Sequence, residues 1–131
     1  MMVIKFLTDE WANAVTAAAN SDDAFRAAAK GHDVLMHVSV SGSPWSEEYY
    51  MHFSDGSLTI GIGGAPRGPD VEAEVSYETN VELSKGSLNG QTAAMTGQMK
   101  VVGDMMKMMT ISKAQDRLSE LESALDIEYQ H

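Results

Sequence analysis

The stretch that decides the fold is residues 93–111, AAMTGQMKVVGDMMKMMTI. Gly97 and Gly103 punctuate it, because glycine alone enters φ > 0 turns without a steric penalty. Between them Met99 and Val101 point to one side of a strand, and Lys100 and Val102 to the other. Asp104 stands where a helix N-cap belongs, with Met105, Met106, Met108 and Met109 filling the first turns behind it. A helix that is apolar all round its opening turns must lie against protein, or against something greasy that the protein holds.

Downstream, Met108, Ile111, Ala114 or Gln115, Leu118, Leu121 and Leu125 recur at three-and-four spacing. This predicts one long last helix, with Asp116, Arg117, Glu120 and Glu122 on its outer side. Upstream, Val81, Leu83 and Leu88 mark a short helical pair around Lys85-Gly86, the second member capped by Asn89 or Thr92. Before that the period is two. Val34, Met36, Val38 and Val40 alternate with Leu35, His37, Ser39 and Ser41, and the same period runs through Tyr49, Met51 and Phe53, then Leu58, Ile60 and Ile62, then Val71, Ala73, Val75 and Tyr77. Asp55-Gly56 is a strong hairpin signal. These four segments read as consecutive antiparallel strands, each half apolar, and such a sheet needs a cover on one side. The first cover is a helix capped by Thr8 or Asp9 with Trp11, Val15 and Ala18 inward. A second short helix, capped by Ser21 or Asp22, turns Phe25, Ala28 and Ala29 inward. The expected fold class is α+β: residues 1–131 form one domain with a five-stranded, mainly antiparallel sheet covered on one face by helices.

Composition narrows function. The chain has 131 residues, enough for a core without disulfides, and no cysteine, so thiolate catalysis and cysteine-based metal sites are excluded. Nineteen acidic against nine basic residues give a net charge of -10, a field that repels nucleic acid and anionic membrane surfaces. Residues 1–7 make no signal segment and no apolar run approaches the ~20 residues of a membrane span, so the expectation is a cytoplasmic acidic protein without stable membrane insertion. The tail Tyr129-Gln130-His131 is not a peroxisomal Ser-Lys-Leu address.

Little in the chain resembles a catalytic centre. There is no nucleophile elbow, and His32, His37, His52 and His131 form no spaced ligand pair; a metal site and a cofactor are not expected. One constellation is open to acid-base use, His37 facing His52 or Tyr50 across neighbouring strands. Glu72 and Glu74 alternate onto one wet strand face. The glycine-rich run 61–64 lacks the following helix that would cradle a phosphate, and reads as a loop. The methionines stand out: ten in all, five of them between positions 99 and 109. Such unbranched, polarizable side chains fill an irregular core or line a deformable apolar cavity. The residues alone do not separate the two.

The run TGQMKVVGDMMKMM, residues 96–109, resembles the signature near the C-terminal end of the sterol carrier protein 2 (SCP2) lipid-binding family: a glycine, a basic-hydrophobic strand, Gly-Asp/Asn-Met, then a further Met. Gln98 departs from it, standing where a basic residue is usual. The stretch FLTDEWANAVTAAANSDDAFRAAAKG, residues 6–31, is similar to the opening helix of bacterial members. The resemblance implies a sheet-and-helix domain holding a hydrophobic ligand in an apolar cavity between its layers, a lipid, sterol or long-chain fatty acyl group, with binding and transfer and no bond chemistry. Under it Met95, Met99, Met105, Met106 and Met109 would line the pocket, over Phe53, Ile60 and Val101 on the sheet floor. The alternative it implies is an accessory or dimerisation module, pairing with itself or presenting a hydrophobic substrate to a partner enzyme.

Overall fold

A computed structural model describes residues 4–129; the first three residues and the last two, Gln130 and His131 of the tail read above, lie outside the described residues. A short strand β1 (Ile4–Lys5) leads into α1 (Asp9–Asn20), whose first turn is capped by Thr8 Oγ1 accepting from Trp11 N at 3.3 Å. Trp11, Ala12, Val15 and Ala19 form its buried stripe. In α2 (Asp23–Ala29) the Asp22 carboxylate accepts from Phe25 N at 2.8 Å, leaving Phe25 and Ala29 buried.

Three antiparallel strands follow, β2 (Asp33–Ser41), β3 (Glu48–Ser54) and β4 (Ser57–Ile62). The β3–β4 turn is Asp55-Gly56, with φ of 44° and 86°, the paired left-handed geometry that suits the twist of a tight hairpin. Next come β5 (Val71–Ser76), α3 (Tyr77–Lys85), α4 (Gly90–Met95), β6 (Met99–Gly103), α5 (Met105–Thr110), α6 (Ser112–Ser123) and β7 (Ile127–Glu128). The large sheet has the order β4-β3-β2-β5-β6, and β1 pairs with β7 in a separate parallel ladder.

Alternation placed the side chains on the faces where they lie. Val34, Phe53 and Leu58 sit across from one another, as do Met36, Met51 and Ile60, then Val38, Ala73 and Val101. Together they form one apolar face, and the helical layer covers it.

Connectivity differs from the expected meander. β5 does not pair with β4; it lies parallel to β2 on the far side. Eight residues, 63–70, make this crossing, and an extended segment of that length reaches roughly 26 Å, ample for three inter-strand spacings. Along it Arg67 Nη2 meets Asp33 Oδ1 at 3.3 Å and Asp70 N donates to Leu35 O at 2.8 Å, and Leu35 is buried despite its outward parity. Tyr77 opens α3 instead of ending a strand, because Ser76 Oγ accepts from Thr79 N at 3.2 Å and starts the helix there. The single last helix is also two, α5 and α6, broken at Ile111 where φ is -106° and ψ 15°.

Gly103 shows why the motif carries a glycine before its aspartate. Its φ is +126°, a Cβ there would collide with the Asp70 carbonyl oxygen, and it would lie 2.9 Å from Val71 Cα. That close approach lets Asp104 N donate to Asp70 O at 2.9 Å, while Asp70 itself accepts from Leu35 N at 2.9 Å and from Lys107 Nζ at 3.1 Å. The bond from Leu35 and the nearby lysine hold the Asp70 carboxyl below its ordinary value. Gly103→Ala is expected to cost on the order of 2–4 kcal/mol, combining backbone strain with backbone collision. Urea denaturation checks this, and a variant as stable as the parent would show that β5 and β6 need no such contact.

Candidate functional site

Between the covered sheet face and the helices lies a cavity of about 440 Å³. That is within the range of small-ligand pockets. Its floor is set by strand alternation: Met36 and Val38 of β2, Phe53 of β3, Ala73 and Val75 of β5, and Met99 of β6. Leu83, Leu88, Met108 and Leu118 close it from the helical side. Exposed Lys85, Gln91, Ser112, Asp116, Glu120 and Ser123 make the rim, so the void meets solvent between the α3–α4 turn and one side of α6.

The inner wall is not uniformly apolar. Glu122, expected on the outer side of the last helix, faces inward with 8% exposure, because it continues the stripe Ala114–Leu118 by one more turn. Its Oε2 accepts from Trp11 Nε1 at 3.0 Å and from Ser84 Oγ at 2.6 Å, and Ser84 Oγ lies 2.7 Å from Tyr129 Oη. Burial raises the Glu122 carboxyl above its ordinary value, against the lowering by Ser84 and Trp11. One turn before Ser84 on α3, Asn80 takes the Tyr49 hydroxyl on its Oδ1 at 3.4 Å. Burial, then the Glu122 charge, pushes the Tyr49 hydroxyl upward. Tyr49 in turn meets Trp11 edge-on, ring centroids 5.2 Å apart. Trp11, Tyr49, Asn80, Ser84 and Glu122 therefore form one polar cluster on the cavity wall. From the sequence Asn80 had no assigned role and Glu122 belonged to the outer side of the last helix; both are corrected here. The usable signal was Trp11, whose buried indole N–H needs an acceptor.

Of the eight residues singled out from the sequence, Phe53 and Met99 line this cavity. Ile60 is buried in the core and Val101 packs on it half-buried, neither at the void. The other four methionines point away from the interior: Met95 is 79% exposed, Met106 80% and Met109 71%, with Met105 also exposed. α5 is only six residues long and buries none of them. Met108, read from the sequence as part of the last helix's apolar stripe but not as pocket lining, is the α5 methionine that reaches the cavity.

The histidine constellation lies on the opposite sheet face. His37 is opposite Tyr50 in the ladder, with its ring nitrogens 3.3 Å from Glu48 Oε2 and 3.6 Å from Glu72 Oε1. His52 pairs instead with Asp33 Oδ1 at 2.7 Å. Among the described residues no group of three or more His, Asp or Glu side chains could hold a metal ion, and no helix is long and apolar enough to cross a membrane.

The model of the SCP-2 sterol transfer family matches residues 10–116. This chain belongs to that family. A crystal structure of sterol carrier protein 2 is similar over 92% of this chain and 98% of that one, with a TM-score of 0.76 at 20% identity. The solution structure of a conserved hypothetical protein from Thermus thermophilus gives 0.78 at 19% identity, over 98% and 94% of the two chains. A stereoselective inverting sec-alkylsulfatase from a Pseudomonas species matches 77% of this chain with 14% of its own, at a TM-score of 0.53 and 22% identity. These likenesses are of fold. Among curated proteins no sequence matches.

In this SCP-2 family member the Glu122 carboxyl makes stability depend on pH in a definite direction. Its folded value lies above the ordinary 4.5, so the folded state holds the proton more tightly than the unfolded chain. The favourable state is complete below about pH 4.5 and is lost as pH rises through the folded value. Glu122→Gln removes the charge, and the stability difference, wild type minus variant, is expected to fall as pH rises above about 4.5 in urea titrations. A difference that rises with pH would mean that the site stabilises the carboxylate.

Proposed function

We propose that this chain reversibly binds a hydrophobic ligand, a lipid, sterol or long-chain acyl compound, in the cavity beneath α3 and α6, and carries it without bond chemistry. The observation that carries this reading is the void itself: an apolar floor from the covered sheet face, with a rim open to solvent. Membership in a sterol transfer family supports it.

The magnitudes agree. At roughly 30 Å³ per water-sized group, about 440 Å³ holds on the order of fifteen heavy atoms. Burying about a dozen methylenes at ~0.8 kcal/mol each gives roughly 10 kcal/mol. Subtracting about 4 kcal/mol for association leaves about 6, which corresponds to tens of micromolar. No charged anchor is needed for a carrier that must also release.

Native mass spectrometry of protein purified without detergent is expected to reveal a co-purifying lipid. Leu83→Trp, which projects a larger ring into the void from a half-buried position, is expected to weaken a fluorescent fatty-acid probe at least about tenfold with an unchanged circular dichroism spectrum. Undiminished probe binding in a folded variant would locate the ligand elsewhere.

A second reading, a module that docks on a partner or on a second copy, is favoured by the exposed methionines of α4 and α5 flanking edge strand β6. The alkylsulfatase, of which a domain of this fold forms a small part, supports the idea of a module beside an enzyme. Size-exclusion chromatography separates the readings. A dimer abolished by Met106→Lys/Met109→Lys and indifferent to added lipid would favour docking, whereas a monomer in both proteins would argue against self-association.

A further inference from the structure

Six large apolar side chains stand exposed among the described residues, and five of them, Met95, Val102, Met105, Met106 and Met109, fall between positions 95 and 109. The sixth, Trp45, has Lys5 Nζ 5.1 Å from its ring centre. At 3.6 residues per turn, Met105, Met106 and Met109 lie within about 100° of arc on α5 and form one outward face. The helix is held in that orientation: Asp104 caps its start, Lys107 Nζ meets Asp70 Oδ1 at 3.1 Å, and Met108 reaches the cavity. The first helix offers no such face. Its apolar stripe is buried, and it opens with Asp9 and Glu10.

Charge is distributed to match. Residues 86–115 hold Lys100, Lys107 and Lys113 against Asp104 alone, in a chain with nineteen acidic and nine basic residues, and all three lysines are exposed. Salt screens charges beyond about 8–10 Å, so a surface approaching this region meets the lysines before the distant acids. The same two helices border the cavity, α4 through Gly90 and Gln91 and α5 through Met108, whereas the acidic rim residues Asp116 and Glu120 stand on α6. Size argues against a second copy as the occupant. A few thioether side chains expose roughly a few hundred Å², short of the ~800 Å² per partner of a standard protein interface. An isologous pair would also set the lysines of one copy against those of the other. A lipid surface asks for neither area nor shape, because apolar side chains enter its headgroup layer while lysines meet the lipid phosphates.

We infer that the outward methionine face of α5, with Met95 of α4 and the lysines around it, docks on an anionic lipid surface and brings the cavity mouth to that surface. The contact is peripheral and reversible, confined to the headgroup layer. The choice of a lipid surface rests on the carrier reading above, and it adds the place where cargo enters and leaves. Over this one face the local lysines reverse the repulsion expected from the net charge of the chain.

Flotation of delipidated protein with vesicles of phosphatidylcholine and phosphatidylglycerol tests it. The wild type is expected to float with them. Met106→Gln/Met109→Gln is expected to weaken vesicle partitioning at least about tenfold, with a native circular dichroism spectrum and unchanged binding of a fluorescent fatty-acid probe in solution. Lys100→Gln/Lys113→Gln is expected to lose at least about fivefold on these vesicles and little on phosphatidylcholine alone. A wild type that stays with the soluble fraction, or a folded methionine variant that floats equally well, would overturn the docking surface, and the carrier reading would stand wherever the probe still binds. A dimer abolished by the methionine substitutions, in a wild type that does not float, would assign the face to a second copy instead. Flotation through the methionines by a protein that binds no probe would overturn the carrier reading alone.

Discussion

A buried carboxyl group with no cation beside it holds the helical layer of this protein together. Glu122 reaches from α6 to Trp11 on α1 and Ser84 on α3, and Ser84 extends the chain of bonds to Tyr129 beside β7. Two donors on one oxygen offset part of the desolvation that burial imposes. Removing either donor would leave that cost less compensated, so the first helix, the third helix and the chain end are fixed relative to α6. The parallel β1–β7 ladder places Phe6 5.1 Å from the Tyr129 ring, and Phe6 packs edge-on against Trp11 at 5.3 Å. The cavity exists because this layer is held at its edges by specific polar and aromatic contacts.

Two further carboxylates tie the layers, with opposite electrostatics. Asp22 caps α2 and also takes Arg117 of α6 at 2.8 Å on each of two bonds, which together hold its carboxyl down at about 2. Asp70 joins β2 to the start of α5. Both meet donors near solvent and are settled as anions, whereas Glu122 is settled by burial toward its neutral form. The structural anions lie outside the cavity and the proton-retaining group lines it.

Much of this was legible in the residues. Period-two patterning separated the apolar side of each strand from its wet side, and the Asp22, Asn89 and Asp104 caps fell where short polar side chains precede apolar runs. Pairing was less legible, because alternation specifies which way a side chain points and not which strand lies beside it. The parallel placement of β5 is permitted by the reach of residues 63–70, and no residue pattern announces it. Glu122 was misread because charge at the end of an amphipathic helix ordinarily means solvent; its inward direction depends on Trp11, more than a hundred positions away. The methionines were ambiguous by their chemistry. A six-residue helix beyond the edge strand, tied by Asp104 at its start, by Lys107 on Asp70 and by Met108 at the cavity, presents its other methionines outward.

The mixed character of the cavity wall bears on what a carrier has to do. A wholly apolar tunnel would bind in proportion to chain length and discriminate poorly, since each methylene contributes nearly the same free energy. Under the carrier reading, a dissociation constant near tens of micromolar and an ordinary association rate of about 10⁵–10⁷ M⁻¹s⁻¹ would set dissociation on the order of 1–100 s⁻¹. Exchange in well under a second to about a second suits a protein that collects a lipid at one place and yields it at another. A cationic clamp at the inner wall would lengthen that residence by orders of magnitude, and among the described residues the one cation of the lining, Lys85, sits at the rim. Apolar burial without a cation at the inner wall thus favours release over retention.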